Sequence, residues 1–292
     1  MQVRDDESGA VFRLWTLYPT PSAPAQVAFG PYTVEASADA PIEPATFPLV
    51  VVSHGSGSSP FLFRDLAARL VRHGHVVAVV EHPGDHRNDR SRSDTDENLV
   101  ARPRHVRRAI DAVLADGELG PHVRSDRVAV IGHSLGAYTA LAVAGGTPWS
   151  KAGEPLAVAW DPRIGALVLL APAAYGYVPD GSLARVTAPM LVYTGAADTI
   201  TPPWHGHLVA SAASAASAAS FGGQVPDTSK VIHHVVEHAG HLSFLSELPP
   251  SSGWRDPPGF DRAGFHERLG SEVCAFLGRA LGAMTHGGAL AR

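Results

Sequence analysis

Short apolar runs of strand length alternate with helix-period patterns along most of this chain, and that alternation limits the fold more than any other feature. Residues 49–53 (LVVVS), 76–80, 127–131, 164–170, 190–194 and 231–236 read as strands. Continuous apolar runs of this kind mark strands covered on both faces. Between them lie helical stripes. Leu62, Leu66 and Leu70 recur every fourth residue, with Gly74 placed to stop that helix. Val106, Ile110, Val113 and Leu114 form a second stripe, and residues 135–144 a helix of small residues. A closing helix over 261–281 places Phe265, Leu269, Val273, Phe276 and Leu277 on its inner face. The segment 11–18 (VFRLWTLY) reads as an early strand, and the Pro-rich stretch 19–47 as loop with a short edge strand. The expected fold class is α/β: a mostly parallel central sheet with helices on both faces. A single domain over 1–284 is expected, followed by a flexible tail over 285–292. Residues 86–108 are dense in Arg and Asp and read as a solvated loop leading into a helix. The repeat SAASAASAAS at 211–220 reads as a surface helix between Pro202 and Gly222–Gly223, with a disordered insert as the other reading.

Composition narrows the function. The 292 residues are 45% hydrophobic and 17% charged, with a formal net charge of −5. Such a chain buries a large core and carries no electrostatic footprint for nucleic acid. No stretch of about 18 apolar residues is present, so no stable membrane insertion is expected. Residues 1–9 lack the apolar segment of a secretory signal. The lone cysteine, Cys274, allows no intrachain disulfide, which fits a reducing, cytoplasmic setting. The oligomeric state leaves no signature in the sequence.

The strongest chemical signal is Gly132-His133-Ser134-Leu135-Gly136, which follows the strand RVAVI and precedes the helical run LGAYTALAVA. Strand, sharp turn and helix around G-x-S-x-G predict a serine hydroxyl exposed at the carboxyl edge of a sheet. The glycines are needed because side chains at 132 and 136 would collide with neighbouring backbone. A serine needs a base, and the base needs an orienting group. Downstream, Asp198 follows the strand 190–194 at the same edge, whereas the competing Asp161 precedes its strand and lies at the opposite edge. Among His233, His234, His238 and His241, His241 follows the last strand behind Gly240 and is the expected base, with His238 next. The developing oxyanion needs N–H donors. Leu135 supplies one, and the loop SHGSGS at 53–58 the other, through Ser56 or, second, Gly55. This loop lacks the G-K-[ST] ending of a phosphate loop. A carboxylate in Glu81-His82-Pro83-Gly84-Asp85 either orients the oxyanion loop, lines the pocket, or is a buried group satisfied by backbone donors. His133 packs under the turn and is counted with Gly55, Tyr175 and Trp204 among substrate-binding candidates. Pocket walls are expected within 146–160, 172–185 and 200–222, with Trp149, Tyr175, Tyr177 and Trp204 making them aromatic. His73/His75 and His205/His207 have a spacing metals use, but no Cys or carboxylate cluster accompanies them. No metal and no cofactor are expected.

These motifs carry a resemblance. YP at 18–19, SHGSG at 53–57, EHPG at 81–84, GHSLG at 132–136, GAAD at 195–198 and AGH at 239–241 resemble the α/β-hydrolase superfamily. Within it the chain is similar to bacterial dienelactone-hydrolase-like serine esterases related to platelet-activating-factor acetylhydrolases. Dienelactone hydrolases themselves carry a cysteine where this chain has Ser134, which points away from dienelactone as substrate. The acetylhydrolase relatives place the acid one strand earlier than Asp198. The resemblance implies a small-molecule ester substrate and an acyl-enzyme mechanism. Lipid-like or polyester substrates, and amide or thioester cleavage on the same triad, are the alternatives.

Overall fold

A computed structural model of the chain describes residues 1–220 and 230–282. The tail expected over 285–292 and the helix end expected at Gly222–Gly223 lie outside the described residues. In chain order the strands and helices are β1 (Gln2–Arg4), β2 (Val11–Leu17), β3 (Ala25–Phe29), β4 (Tyr32–Ala36), β5 (Phe47–Ser53), α1 (Arg64–Arg72), β6 (Val76–Val80), α2 (Asp96–Ala115), β7 (Val123–His133), α3 (Leu135–Val143), β8 (Ile164–Leu170), β9 (Met190–Gly195), α4 (Trp204–Ser220), β10 (Val231–Val236) and α5 (Arg262–Leu281).

The apolar runs pair into one eight-stranded sheet, ordered β1-β2-β6-β5-β7-β8-β9-β10. From β6 to β10 neighbouring strands are parallel, while β2 runs antiparallel to both β1 and β6. Side chains alternate across the sheet with period two. Leu49, Val51, Val130, Leu167 and Val192 face a core shared with Val106 and Ile110 of α2 and Leu141 of α3. Val50, Val52, Ile131, Val168 and Leu191 face the other core, shared with Leu70 of α1 and Leu269, Val273 and Leu277 of α5. Both faces are therefore covered, as the unbroken apolar runs require. The parallel strands end in register, with Ser53 beside Val80 and Gly132, His133 beside Leu170, and Gly195 beside Val236. Everything that leaves the sheet at these positions gathers on one carboxyl edge, where ligands bind in such sheets.

Three elements depart from expectation. Residues 2–4 form β1, although the segment 1–9 reads as polar. The stretch 19–47 contains a separate two-stranded sheet, β3 with β4, closed by the two-residue turn Gly30–Pro31 between the paired Phe29 and Tyr32. That turn chemistry is visible in the sequence, but the Pro-rich flanks obscure it. The third departure is α2, which begins at Asp96 behind an N-cap in which the Thr95 hydroxyl accepts from the Asn98 amide. The loop in 86–108 leads into a helix as expected, but the start of that helix is not solvated: Asn98, Arg102 and His105 are buried. The Ala/Ser repeat at 211–220 lies within α4.

Leu167 sits at the centre of the sheet with 0% exposure. Leu167→Ala is expected to lower unfolding free energy by ~2–5 kcal/mol, read from the urea midpoint. Val11→Ala, at a 53% exposed position of β2, is expected to change it by less than about 0.5 kcal/mol.

Candidate active site

β7 runs straight into α3 with one residue between them, and that residue is Ser134. Its backbone stands at φ 55°, ψ −120°, a conformation that L residues rarely adopt. A Cβ on Gly136 would lie 1.9 Å from the Ser53 carbonyl oxygen, and one on Gly132 would lie 2.2 Å from the Gly136 carbonyl. Only glycine fits at either position, for the steric reason read from the sequence. The turn is pinned to its neighbours from both sides. The Ser134 amide donates to Leu170 O (3.0 Å), and the Ala173 amide donates to Ser134 O (3.1 Å).

The acid turn after β9 and the loop after β10 are zipped together by backbone bonds. Ala196 N donates to Val236 O and Ala197 N to Ala239 O, both at 2.9 Å. This brings Asp198 against His241, with Oδ2 2.8 Å from Nδ1. The other carboxylate oxygen accepts from the amides of Ile200 (2.8 Å) and Thr201 (2.9 Å), so the carboxylate cannot rotate away. The Thr201 hydroxyl lies within hydrogen-bond distance of Asp198 Oδ2, His241 Nδ1 and Ala171 O. Burial raises the Asp198 carboxyl pKa, but the His241 contact and the two amides prevail and the net shift is downward. Asp198 is ionised and accepts the Nδ1 proton, which leaves His241 Nε2 as a lone-pair acceptor. His133, 2% exposed, donates through Nε2 to the His241 carbonyl (2.8 Å) and holds the loop beside the serine turn. The Ser134 hydroxyl makes no hydrogen bond with any described residue, and such bonds often form only in the Michaelis complex.

The competing candidates go elsewhere. Asp161 is tied to Arg163 at the amino end of β8. His233 bonds the Thr194 hydroxyl (2.8 Å), His234 bonds Glu272 (2.7 Å), and His238 is exposed. His73 and His75 donate to carbonyls of α1, at Arg69 and Leu70, and the His205 ring accepts from the Ala174 amide. Among the described residues no group of three or more His, Cys, Asp or Glu side chains could hold a metal ion.

The loop after β5 passes directly over the serine. A Cβ on Gly55 would lie 3.2 Å from Ser134 Cβ, closer than most real contacts. The amides of Gly55, Ser56 and Leu135 have no partner among the described residues, so all three remain available as donors. Tyr175 (47% exposed), Ile200 (65%) and Trp204 (46%) give the edge an apolar rim. Trp204 stacks on the His205 ring at 3.7 Å, and Tyr175 meets the same ring edge-on at 6.3 Å. Tyr177, expected in this wall, is instead buried in the core with its hydroxyl on Tyr138 O (2.8 Å). A cavity of about 610 Å³ lies between the β3–β4 hairpin, β2 and α1, and neither Ser134, Asp198 nor His241 lines it.

Sequence reading missed Arg102 and Thr201, and took His205 only as half of a metal-spaced pair, whereas its ring accepts from the Ala174 amide. Arg102 was legible in principle. Continuing the Val113, Val106 stripe of α2 toward its start places Arg102 and Asn98 on the inner face. The density of charge hid that stripe.

Four imidazoles around this edge are buried and neutral. Burial pushes His54, His105 and His133 down to about 3, and His82 well below its ordinary value. In the unfolded chain these groups titrate near 6.5, so the unfolded state takes up protons first as pH falls. Each such group removes ~1.4 kcal/mol of stability per pH unit below that value. The net-lowered carboxyls of Asp85 and Asp198 add loss in the same direction at still lower pH. The urea midpoint is expected to be level above about pH 7 and to fall steadily below about 6.5. A level midpoint down to about pH 4.5 contradicts this account.

Comparison with known proteins agrees with this architecture. Residues 22–97 match the family model of platelet-activating factor acetylhydrolase, isoform II, a span that holds β5, β6 and the loop over the serine but not Ser134 itself. A ferulic acid esterase from Streptomyces cinnamoneus is similar over 96% of this chain and 88% of its own, at 19% identity and a TM-score of 0.67. Esterase 2 of the planctomycete Thermogutta terrifontis is similar over 98% and 93%, at 16% identity and a TM-score of 0.60. A puromycin-hydrolyzing peptidase of Mycobacterium tuberculosis aligns with 97% of this chain but 39% of its own, at 17% identity and a TM-score of 0.60. With its strand order, its antiparallel β2 and the strained serine between β7 and α3, this chain has the α/β-hydrolase fold.

Proposed function

We propose that the chain is a serine hydrolase of carboxylic esters, with Ser134 as nucleophile, His241 as base and Asp198 as the orienting acid. The observation that carries this reading is the 2.8 Å contact between Asp198 Oδ2 and His241 Nδ1 beside a serine in the strained turn. His241 Nε2 takes the proton as Ser134 Oγ attacks the ester carbonyl. The carbonyl electron pair moves onto oxygen, where the amides of Leu135 and Ser56 stabilise it. His241 then hands its proton to the leaving alkoxide, and the C–O bond breaks to give the acyl-enzyme. Water, activated by the same Nε2, repeats the sequence and releases the acid. Asp198 stays ionised throughout, fixing the imidazole tautomer and stabilising the imidazolium. No step calls for a cofactor. Gly55 leaves room for the substrate oxygen, and His133 supports the His241 backbone from below.

The substrate class follows from the rim. Tyr175, Ile200 and Trp204 present apolar surface to whatever enters, which favours an ester with an apolar acyl or aromatic group. Two similar proteins point the same way: one acts as a ferulic acid esterase, and the Thermogutta esterase has been seen with propionate and butyrate bound. The one-domain organisation and a cytoplasmic location belong to the same proposal. Among the described residues no helix is long and apolar enough to cross a membrane.

Hydrolysis of p-nitrophenyl acetate, butyrate and octanoate tests the reading. Ser134→Ala is expected to lose at least about 10⁴-fold in kcat while keeping its fold, and Asp198→Asn to lose on the order of 10³–10⁴-fold. A folded Ser134→Ala variant with wild-type turnover overturns the mechanism.

A further inference from the structure

Beneath the proposed oxyanion site lies a buried ion pair that the catalytic sequence above does not use. Arg102 of α2 and Asp85 of the turn after β6 meet at 2.7 Å, and both are 0% exposed. We propose that Asp85 and Arg102 are positioning residues of the oxyanion site, holding its two donor amides at a set separation. This inference rests on the ester-hydrolase reading.

The argument starts from the peptide planes of residues 54–57. The Arg102 guanidinium donates to the His54 carbonyl through Nη2. The Gly55 carbonyl accepts from His54 Nδ1 (2.7 Å) and from the Ser58 amide (3.2 Å). The Gly57 amide donates to Asp85 Oδ1 (3.0 Å), and the Ser56 hydroxyl donates to the same oxygen (2.7 Å). Three successive peptide planes are thus held by their outward groups. The amides of Gly55 and Ser56 are left without a partner among the described residues. A peptide plane with its carbonyl held has its N–H direction decided as well.

Arg102 also reaches the other half of the site. Its Nε donates to Thr139 Oγ1 (3.0 Å), and that hydroxyl donates to the Leu135 carbonyl (2.9 Å) within the first turn of α3. One guanidinium therefore ties the loop bearing the Ser56 amide to the helix bearing the Leu135 amide. Asp85 is itself fixed by Asn98 Nδ2 and the Ser93 hydroxyl, both at 2.7 Å. From below, His82 bonds the Ser53 hydroxyl (2.9 Å) and donates its amide to His54 Nε2 (3.2 Å). Burial lowers the Arg102 pKa to about 10, so it stays charged at neutral pH. A buried ion pair adds little stability compared with apolar residues of the same volume. Its value here is directional: the guanidinium fork points at fixed acceptors in a way that apolar packing cannot.

The test compares wild type, Asp85→Asn and Ser56→Ala. The last keeps the Ser56 amide and removes only its hydroxyl bond to Asp85 at an exposed position, so it preserves the fold. Two inhibitors separate positioning from general damage. An alkyl trifluoromethyl ketone accepts Ser134 and forms a tetrahedral oxyanion, whereas the matching secondary alcohol binds without one. Asp85→Asn is expected to lower kcat on p-nitrophenyl butyrate about 10²-fold with KM within about three-fold. The ketone should weaken in parallel and the alcohol should not. Ser56→Ala should show the same pattern at about five-fold. A folded Asp85→Asn with kcat within about two-fold of wild type overturns the proposal, as does equal weakening of ketone and alcohol. If Asp85→Asn does not fold, Ser56→Ala decides, and an unchanged kcat overturns it. A wild type that turns over no ester and is not labelled at Ser134 by a fluorophosphonate overturns the hydrolase reading together with this inference. An active wild type with unaffected variants overturns this inference alone.

Discussion

The backbone at Ser134 is the constraint around which the carboxyl edge is arranged. A residue at φ 55° between a strand and a helix persists only where its surroundings over-determine it, at a cost of about 1–3 kcal/mol. Here the surroundings are the carbonyl of Ser53 pressed against Gly136, the Leu170 carbonyl holding the Ser134 amide, and the Ala173 amide on its carbonyl. Each contact comes from a different strand end or loop. The turn therefore aligns β5, β7 and β8 at the edge as much as those strands hold the turn. Gly55 arrives over the serine because the loop containing it leaves β5 directly beside this contact.

A second layer supports the first. The carboxyl edge is lined by charges and imidazoles that water does not reach: Asp85, Arg102, His54, His82, His105 and His133. Burying such groups is costly unless each finds partners, and a partly satisfied network is worse than an apolar core. Asp85 meets this demand with bonds from Arg102, Asn98, Ser56, Ser93 and the Gly57 amide. His133 meets it only in part, since its Nδ1 has no partner among the described residues, and that ring lies directly beneath the serine turn. The same burial that makes the network directional makes the protein sensitive to acid, because the imidazoles must stay neutral in the fold.

Asp198 and His241 show how chain connectivity and local bonding divide the work. The two residues are 43 positions apart. They meet because β9 and β10 are register neighbours and because the turns that follow exchange amide bonds at 196, 197, 236 and 239. Asp161 offers the same carboxylate chemistry but leaves the sheet at its amino end. Position at an edge, not residue type, separates the two, and strand direction decides the edge.

Much of this was legible from residues alone. Unbroken apolar runs announced parallel strands covered on both faces. The glycines of GHSLG announced a turn too tight for side chains. Chain order and strand direction singled out Asp198 and His241 among their rivals. All of these depend on contiguous residues: periodicity, steric bulk, and the side on which a strand ends. The β3–β4 hairpin, the buried start of α2 and the place of Arg102 were not read. A run of Arg and Asp looks the same whether its charges face water or one another. Arg102 becomes a buried residue only when α2 packs against α3 and the turn after β6, which delivers Asp85, Thr139 and the His54 carbonyl from three distant segments. Local sterics and periodicity belong to the sequence; the pairing of buried charges belongs to the tertiary structure, because a charge is stable away from water only where the fold brings its partners.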